Sequence, residues 1–179
     1  MINVLYEDNH VLCVEKPINI PVMEDDSHDM DLLTMCKEYL KEKYQKPGNV
    51  YCGLVHRLDR PVGGVMVFAK TSKAASRLSE AVRTHQLKKE YLAILDGIPT
   101  KKVDTLEDYL SKDTRTNTVS VTDAKHGKKC HLSYEVIGQK GRQSLVHIIL
   151  GTGRSHQIRV QFASRKLPLI HDQRYNPHT

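Results

Sequence analysis

The amino-acid sequence predicts an α+β fold, on three observations. Seven short runs, spread along the chain, read as strands. Two stretches between them carry helical periodicity. The two kinds do not alternate strictly as β-α-β, which favours α+β over α/β.

The first two strands are expected at Ile2–Tyr6 and at His10–Glu15, around Val11-Leu12-Cys13-Val14, with Asp8-Asn9 as the turn. Lys16-Pro17-Ile18-Asn19-Ile20-Pro21 holds two prolines and leaves no room for regular structure. Glu24–Asp31 packs five acids into eight residues and reads as a solvated loop, whose Asp29 and Asp31 can complement a following helix N-terminus. That helix spans about 31–44, with Leu32, Leu33, Met35, Cys36, Tyr39 and Leu40 on one face, and Pro47-Gly48 ends it.

A strand lies within Gly64–Thr71, on Val65-Met66-Val67-Phe68-Ala69. Thr71 or Ser72 caps a second helix that runs to about Thr84, with Ala75, Leu78, Ala81 and Val82 turned inward. Lys89–Ile98 is a strand containing Tyr91. Three more are expected at Thr116–Thr122, Cys130–Ile137 and Ser144–Leu150. After Gly151-Thr152-Gly153 two readings stay open. His156, Ile158, Val160 and Phe162 alternate as a strand does, while Ile158, Phe162 and Ala163 fit a helix face that Ser155 could cap.

The chain has 179 residues, which suggests one domain over 1–179. With 39% hydrophobic and 27% charged residues it is neither disordered nor fibrous. No apolar run approaches the ~18–20 residues that span a bilayer. The start, Met1-Ile2-Asn3-Val4-Leu5-Tyr6-Glu7-Asp8, does not read as a secretory signal, so a cytoplasmic location is expected. The net charge is +6, unevenly spread. Residues 1–50 carry 5 basic and 10 acidic side chains, net -5, and residues 51–179 carry 22 and 11, net +11. A basic segment of this kind suits a nucleic-acid partner, although a solubility-tuned surface has the same composition. Cys13, Cys36, Cys52 and Cys130 form no C-x-x-C pair, and the ten His are scattered, so no metal site is expected. Free thiols are expected instead of a disulfide framework.

Two segments concentrate polar groups. In His56-Arg57-Leu58-Asp59-Arg60-Pro61-Val62-Gly63-Gly64 one carboxylate is flanked by two arginines and a histidine. Arginine holds a neighbouring carboxylate ionised, and such a group can act as nucleophile or base. A surface salt-bridge cluster would have the same residues. The second segment is Gly151-Thr152-Gly153-Arg154-Ser155-His156-Gln157-Ile158-Arg159-Val160. It resembles a phosphate-handling loop at a helix start, but it is neither a G-x-G-x-x-G nor a P-loop, and a glycine hairpin is the alternative.

These two segments, with Lys89-Glu90-Tyr91-Leu92-Ala93-Ile94-Leu95 between them, resemble in order and spacing the RluA-like family of RNA pseudouridine synthases. Val4-Leu5-Tyr6-Glu7-Asp8 with Val14-Glu15-Lys16-Pro17 is similar to the family's opening hairpin, so the likeness spans nearly the whole chain. It implies a mixed, mostly antiparallel sheet flanked by helices and loops. By the family pattern Asp59 is the catalytic nucleophile, attacking C1′ of a uridine's ribose or C6 of its base. Tyr91 stacks on the uracil and is a candidate for handling the C5 proton, and a base taken out of the RNA stack suits an aromatic face. Arg159 matches the arginine that pairs with the catalytic carboxylate.

Arg57 matches a position that engages the target nucleotide, beside His56. Arg154, His156 and Gln157 shape the late motif, and Leu169 or Ile170 falls where an apolar residue lines the pocket. No metal or redox cofactor is implied. The implied partner is structured RNA, ribosomal or transfer, bound by a monomer without a separate RNA-binding domain. Candidate phosphate contacts are Arg57, Arg60, Arg83, Lys88, Lys89, Lys125, Lys128 and Lys129.

The match has departures. The family commonly has Thr-Ser-Gly where this chain has Val62-Gly63-Gly64, so two hydroxyls that could brace the loop are absent. In Pro168-Leu169-Ile170-His171-Asp172 a histidine takes a glycine position, which is awkward if φ is positive there. Family members usually continue beyond the point where this chain stops, so a natural short form and a cut chain are both expected readings. A non-catalytic RNA-binding module on the same fold is the alternative function.

Overall fold

A computed structural model describes residues 2–178. Among these, nine strands and three helices fall into two compact units, Met1–Leu87 and Lys88–Thr179. Every strand pairing is antiparallel.

In the first unit β1 (Asn3–Glu7), β2 (Val11–Lys16), β4 (Gly64–Ala69) and β3 (Gly53–Leu54) form one sheet in the order β1-β2-β4-β3. Period-two alternation turns Leu12, Val14, Met66 and Phe68 inward, all fully buried, and leaves Val65 exposed. The helix α1 (Leu32–Lys43) covers this core with Leu32, Cys36 and Leu40. Asp31 caps it, accepting from Thr34 N at 2.9 Å and Thr34 Oγ1 at 2.7 Å. A buried carboxylate ties α1 to the sheet. Glu7 accepts from Tyr39 Oη at 2.8 Å, Lys43 Nζ at 2.7 Å and Lys70 Nζ at 2.7 Å. Burial alone would raise the Glu7 carboxyl, but these donors outweigh it and hold it far below the usual carboxylate range.

Thr71 caps α2 (Ser72–Arg83), its hydroxyl accepting from Ala74 N at 3.1 Å. The helix ends in a Schellman turn. His85 N donates to Val82 O at 3.3 Å and Gln86 N to Ala81 O at 2.8 Å, with His85 left-handed at φ 58°.

In the second unit the sheet order is β5-β9-β8-β6-β7, from β5 (Lys89–Asp96), β9 (Gln143–Leu150), β8 (Lys128–Lys140), β6 (Val103–Asp113) and β7 (Thr118–Thr122). Leu95, Leu106, Leu132, Val136, Val146 and Ile148 form the core. The segment after Gly153 is a helix, α3 (Gln157–Ala163), which seats Phe162 edge-on to Tyr134 at 5.3 Å between centroids. Its N-cap is His156, left-handed at φ 51° and without a side-chain cap, so Ser155 does not cap it. The strand β6 lies where no strand is expected from sequence.

Candidate active site

In the first unit Asp59 sits half-buried in the turn between β3 and β4, its carbonyl accepting from Val62 N at 3.0 Å. The turn is pinned from below. Alternation in β2 turns Lys16 inward after Leu12 and Val14, and its side chain has no solvent exposure. Lys16 Nζ donates to Pro17 O at 3.1 Å, Arg60 O at 2.9 Å and Val62 O at 2.7 Å. All three ammonium hydrogens thus find carbonyls, the condition for burying such a group at all. Burial pushes the Lys16 ammonium down to about 8, with the Asp59 charge opposing that shift and Arg60 adding to it.

Lys16 thus braces the loop at Val62 and Gly63, where the chain has no side-chain hydroxyl. Gly63 allows the close approach, since a Cβ there would lie 3.2 Å from Ile18 Cγ2 and 3.3 Å from Lys16 O. Gly64, at φ 143°, needs the freedom of glycine. His56 accepts from Val67 N through Nε2 at 3.1 Å, which fixes the ring against β4. Arg57 is exposed. Arg60 turns to the acidic loop: it pairs with Asp29, approaches Asp25 at 3.6 Å, and donates to Ser27 Oγ at 3.0 Å and Asn19 O at 3.2 Å.

In the second unit Tyr91 stands on the inner face of β5, packed with Ala93 against the core. Arg159, on α3, is gripped by Asp172, Nε to Oδ2 at 2.8 Å and Nη2 to Oδ1 at 2.7 Å. Asp172 Oδ1 also accepts from Arg174 N at 3.1 Å and Tyr175 N at 3.2 Å. Burial alone would raise its carboxyl, but the Arg159 bonds and charge and these amides hold it below the usual range. The Arg159 guanidinium lies 5.0 Å from the Tyr175 ring centre. The Tyr175 hydroxyl accepts from Val119 N at 2.9 Å and meets His156 Nδ1 at 2.8 Å.

Gln157 is buried and braces the late motif. Its Oε1 accepts from Thr152 Oγ1 at 2.7 Å and Arg154 N at 3.1 Å, and its Nε2 donates to His131 O at 3.0 Å and Gln161 Oε1 at 3.0 Å. Arg154 is exposed, with Nε on Lys129 O at 3.2 Å. Leu169 bridges to Leu95 and Ile170 N donates to Ile94 O at 2.9 Å, which docks both residues on the edge of β5. His171 has φ 58°, so the histidine does occupy a left-handed position that glycine would favour.

The candidate residues fall into two groups, one in each unit. Asp59, His56 and Arg60 surround the first turn, and Tyr91, Arg159 and His156 belong to the second unit. Sequence reasoning missed Lys16 as the support of the Asp59 turn and Tyr175 as a partner of His156 and Arg159. For Lys16 the signal was present, because a lysine two and four residues after buried apolar positions of a strand inherits their face.

The chain is 31% identical over 173 residues to the ribosomal large subunit pseudouridine synthase C of Buchnera aphidicola (strain APS), covering 96% of this chain and 53% of that one. It is 34% identical over 179 residues to a human pseudouridylate synthase, covering 98% of this chain but 31% of the relative. The chain therefore spans about half the length, or less, of these relatives. An uncharacterized RNA pseudouridine synthase of Zymomonas mobilis is 32% identical over 182 residues, covering 98% of this chain and 78% of its own length. Among solved structures, human RNA pseudouridylate synthase domain containing 4 superposes with a TM-score of 0.84 over 99% of this chain and 70% of that one. At 21% identity that likeness speaks for the fold. Residues 10–164, from β2 through α3 and including both clusters' Asp59, Tyr91 and Arg159, match a single family description, so the chain belongs to the RNA pseudouridylate synthase family.

Proposed function

We propose that the chain is an RNA pseudouridine synthase that isomerises specific uridines of ribosomal or transfer RNA in the cytoplasm, with Asp59 as the nucleophile. The observation that carries this is the Asp59 turn itself. A half-buried carboxylate stands on a loop whose carbonyls are held by one fully buried ammonium. A nucleophile must be presented in one geometry, and this support fixes the backbone on which it stands.

In the reaction the Asp59 carboxylate attacks C1′ of the ribose or C6 of the uracil. The glycosidic N1–C1′ bond breaks, the uracil turns, and C5 bonds to C1′. The C5 proton is then lost, N1 is protonated, and the carboxylate is released, so no atom is gained or lost overall. Tyr91 supplies the aromatic face for the extruded base and a phenol near the migrating proton. Arg159, fixed in its rotamer by Asp172, supplies a guanidinium charge. The net +11 of residues 51–179 suits an RNA partner. The Buchnera relative's name points to ribosomal RNA as the first substrate to test.

The deciding experiment is Asp59→Asn, assayed by carbodiimide labelling and primer extension on RNA from a strain lacking the gene. The wild-type chain restores the missing modification and Asp59→Asn does not. Restoration by Asp59→Asn rejects the mechanism. Salt-sensitive RNA binding with no pseudouridine from either protein selects a binding module instead.

A further inference from the structure

Several cations of the second unit are committed to a partner, and the others apart from Lys89 stand exposed among the described residues. Lys129 Nζ meets Glu107 at 3.4 Å, Arg165 pairs with Asp108 at 2.8 Å, and Arg174 donates to Thr116 O and Asn117 O at 3.0 Å each. Lys89 differs. It is the first residue of β5, two before Tyr91 and on the same face, and it is only partly exposed. Among the described residues no carboxylate lies within ion-pair distance of its Nζ. Burial alone lowers its ammonium, with no acid opposing the shift.

Its position is built. The Nζ lies over Gly153, where a Cβ would come within 2.6 Å of it, so a side chain at that position would displace the ammonium. The turn that carries Gly153 is held by the buried Gln157 amide through Thr152 and the Arg154 N–H. Gln157 is anchored in turn by Gln161, whose Nε2 reaches Leu106 O at 3.3 Å and Asp108 Oδ2 at 2.8 Å. On the same turn the exposed Arg154 commits Nε to Lys129 O, and its two terminal nitrogens have no acceptor among the described residues. A half-buried ammonium without a counter-charge is costly unless a ligand provides one. A rigid turn beside it offers a second, fork-shaped cation. Lysine binds phosphate as a point charge and arginine as a fork.

We propose that Lys89, with the Gly153–Arg154 turn, seats a backbone phosphate of the substrate RNA and so fixes the strand next to Tyr91. The inference rests on the pseudouridine synthase reading for its ligand, but not for its geometry. Such a seat acts on binding and register instead of on bond-breaking, so Lys89 is a positioning residue.

The test uses the full chain and a labelled uridine-containing stem-loop RNA, with affinity measured across a potassium chloride series. Lys89→Gln is expected to weaken binding by roughly 10-fold at low salt, and to lower the slope of log affinity against log salt by about 0.7–0.9, one phosphate contact. Lys89→Arg keeps most of the slope. Lys140→Gln, an exposed lysine of β8 outside the seat, leaves both quantities as in the wild type. Gly153→Ala weakens binding in the direction of Lys89→Gln, because the new methyl displaces the ammonium. With RNA that supports turnover, Lys89→Gln raises KM and leaves kcat within about 2-fold. Lys89→Gln protein that is folded by circular dichroism, yet binds with wild-type affinity and salt slope, overturns the seat. The two readings separate cleanly. If Lys89→Gln reduces the slope while the wild type forms no pseudouridine, the seat stands and the enzymatic reading falls. If Asp59-dependent pseudouridine forms while Lys89→Gln behaves as wild type, the seat alone falls.

Discussion

Replacing Lys16 by Met tests the support of the Asp59 turn with an effect whose size depends on pH. Methionine keeps the length and apolar stem of the side chain and removes the ammonium. The three carbonyls of Pro17, Arg60 and Val62 then lose their donor, at about 1–3 kcal/mol for each that water does not reach. Against this, the wild type bears the cost of desolvating a charge. Its ammonium falls from the ordinary 10.5 to about 8, which at about 1.4 kcal/mol per pH unit is on the order of 3 kcal/mol. Between those two values the unfolded chain still holds the proton that the folded chain has released. Wild-type stability therefore rises with pH across that window, and the penalty is fully present only below about pH 8.

Lys16→Met has no such term. The stability gap between the two proteins should accordingly widen by about 3 kcal/mol from neutral pH to above pH 10, and other titrating groups cancel in the difference. Urea unfolding of both proteins across that range, followed by circular dichroism, measures the gap. A gap that stays constant or narrows on raising the pH refutes the idea that Lys16 is a desolvated ammonium locked under the turn.

Two further outcomes follow from the same structure. Asp172, held below its ordinary 3.8 by Arg159 and two amides, contributes stability that is present above that value and lost as pH falls through the folded value; Asp172→Asn should lower stability at neutral pH, where the ion pair is intact, and shrink the acid-induced loss in a denaturation series taken down to pH 2. His85→Gly, at the left-handed end of α2, should stabilise by about 0.5–1 kcal/mol, the relief of a Cβ at positive φ less the backbone entropy of glycine, and a lowered urea midpoint counts against the Schellman assignment.

Periodicity located most of the elements, because most inward positions are apolar. It failed where polar groups point inward. β6 escaped notice since its inner row, Asp104, Leu106, Asp108 and Leu110, carries two acids. Asp108 is tolerated there because Gln161 and Arg165 donate to it, and neither partner is near it in sequence. The segment after Gly153 was ambiguous for the same reason. Gln157 and Gln161 lie one turn apart on the buried side of α3, so an apolar count sees no helical stripe. The motif residues themselves were legible as chemistry, since an aspartate among arginines is unusual whatever the fold. Their supports were less so. Asp172 stands thirteen residues after Arg159, and only the turn that follows α3 brings the two together.

The contact between Tyr175 and Val119 has a consequence for how this sheet behaves in company. β7 is an outer strand, and an outer strand's unpaired amides invite another chain to add itself as a further strand. Here the Val119 amide is taken by a phenol, and Arg174 reaches the carbonyls of Thr116 and Asn117 just before the strand. Tyr175, which packs on Arg159, therefore also takes up an amide of the outer strand, so the segment after α3 covers part of the sheet's border as well as shaping its own cluster.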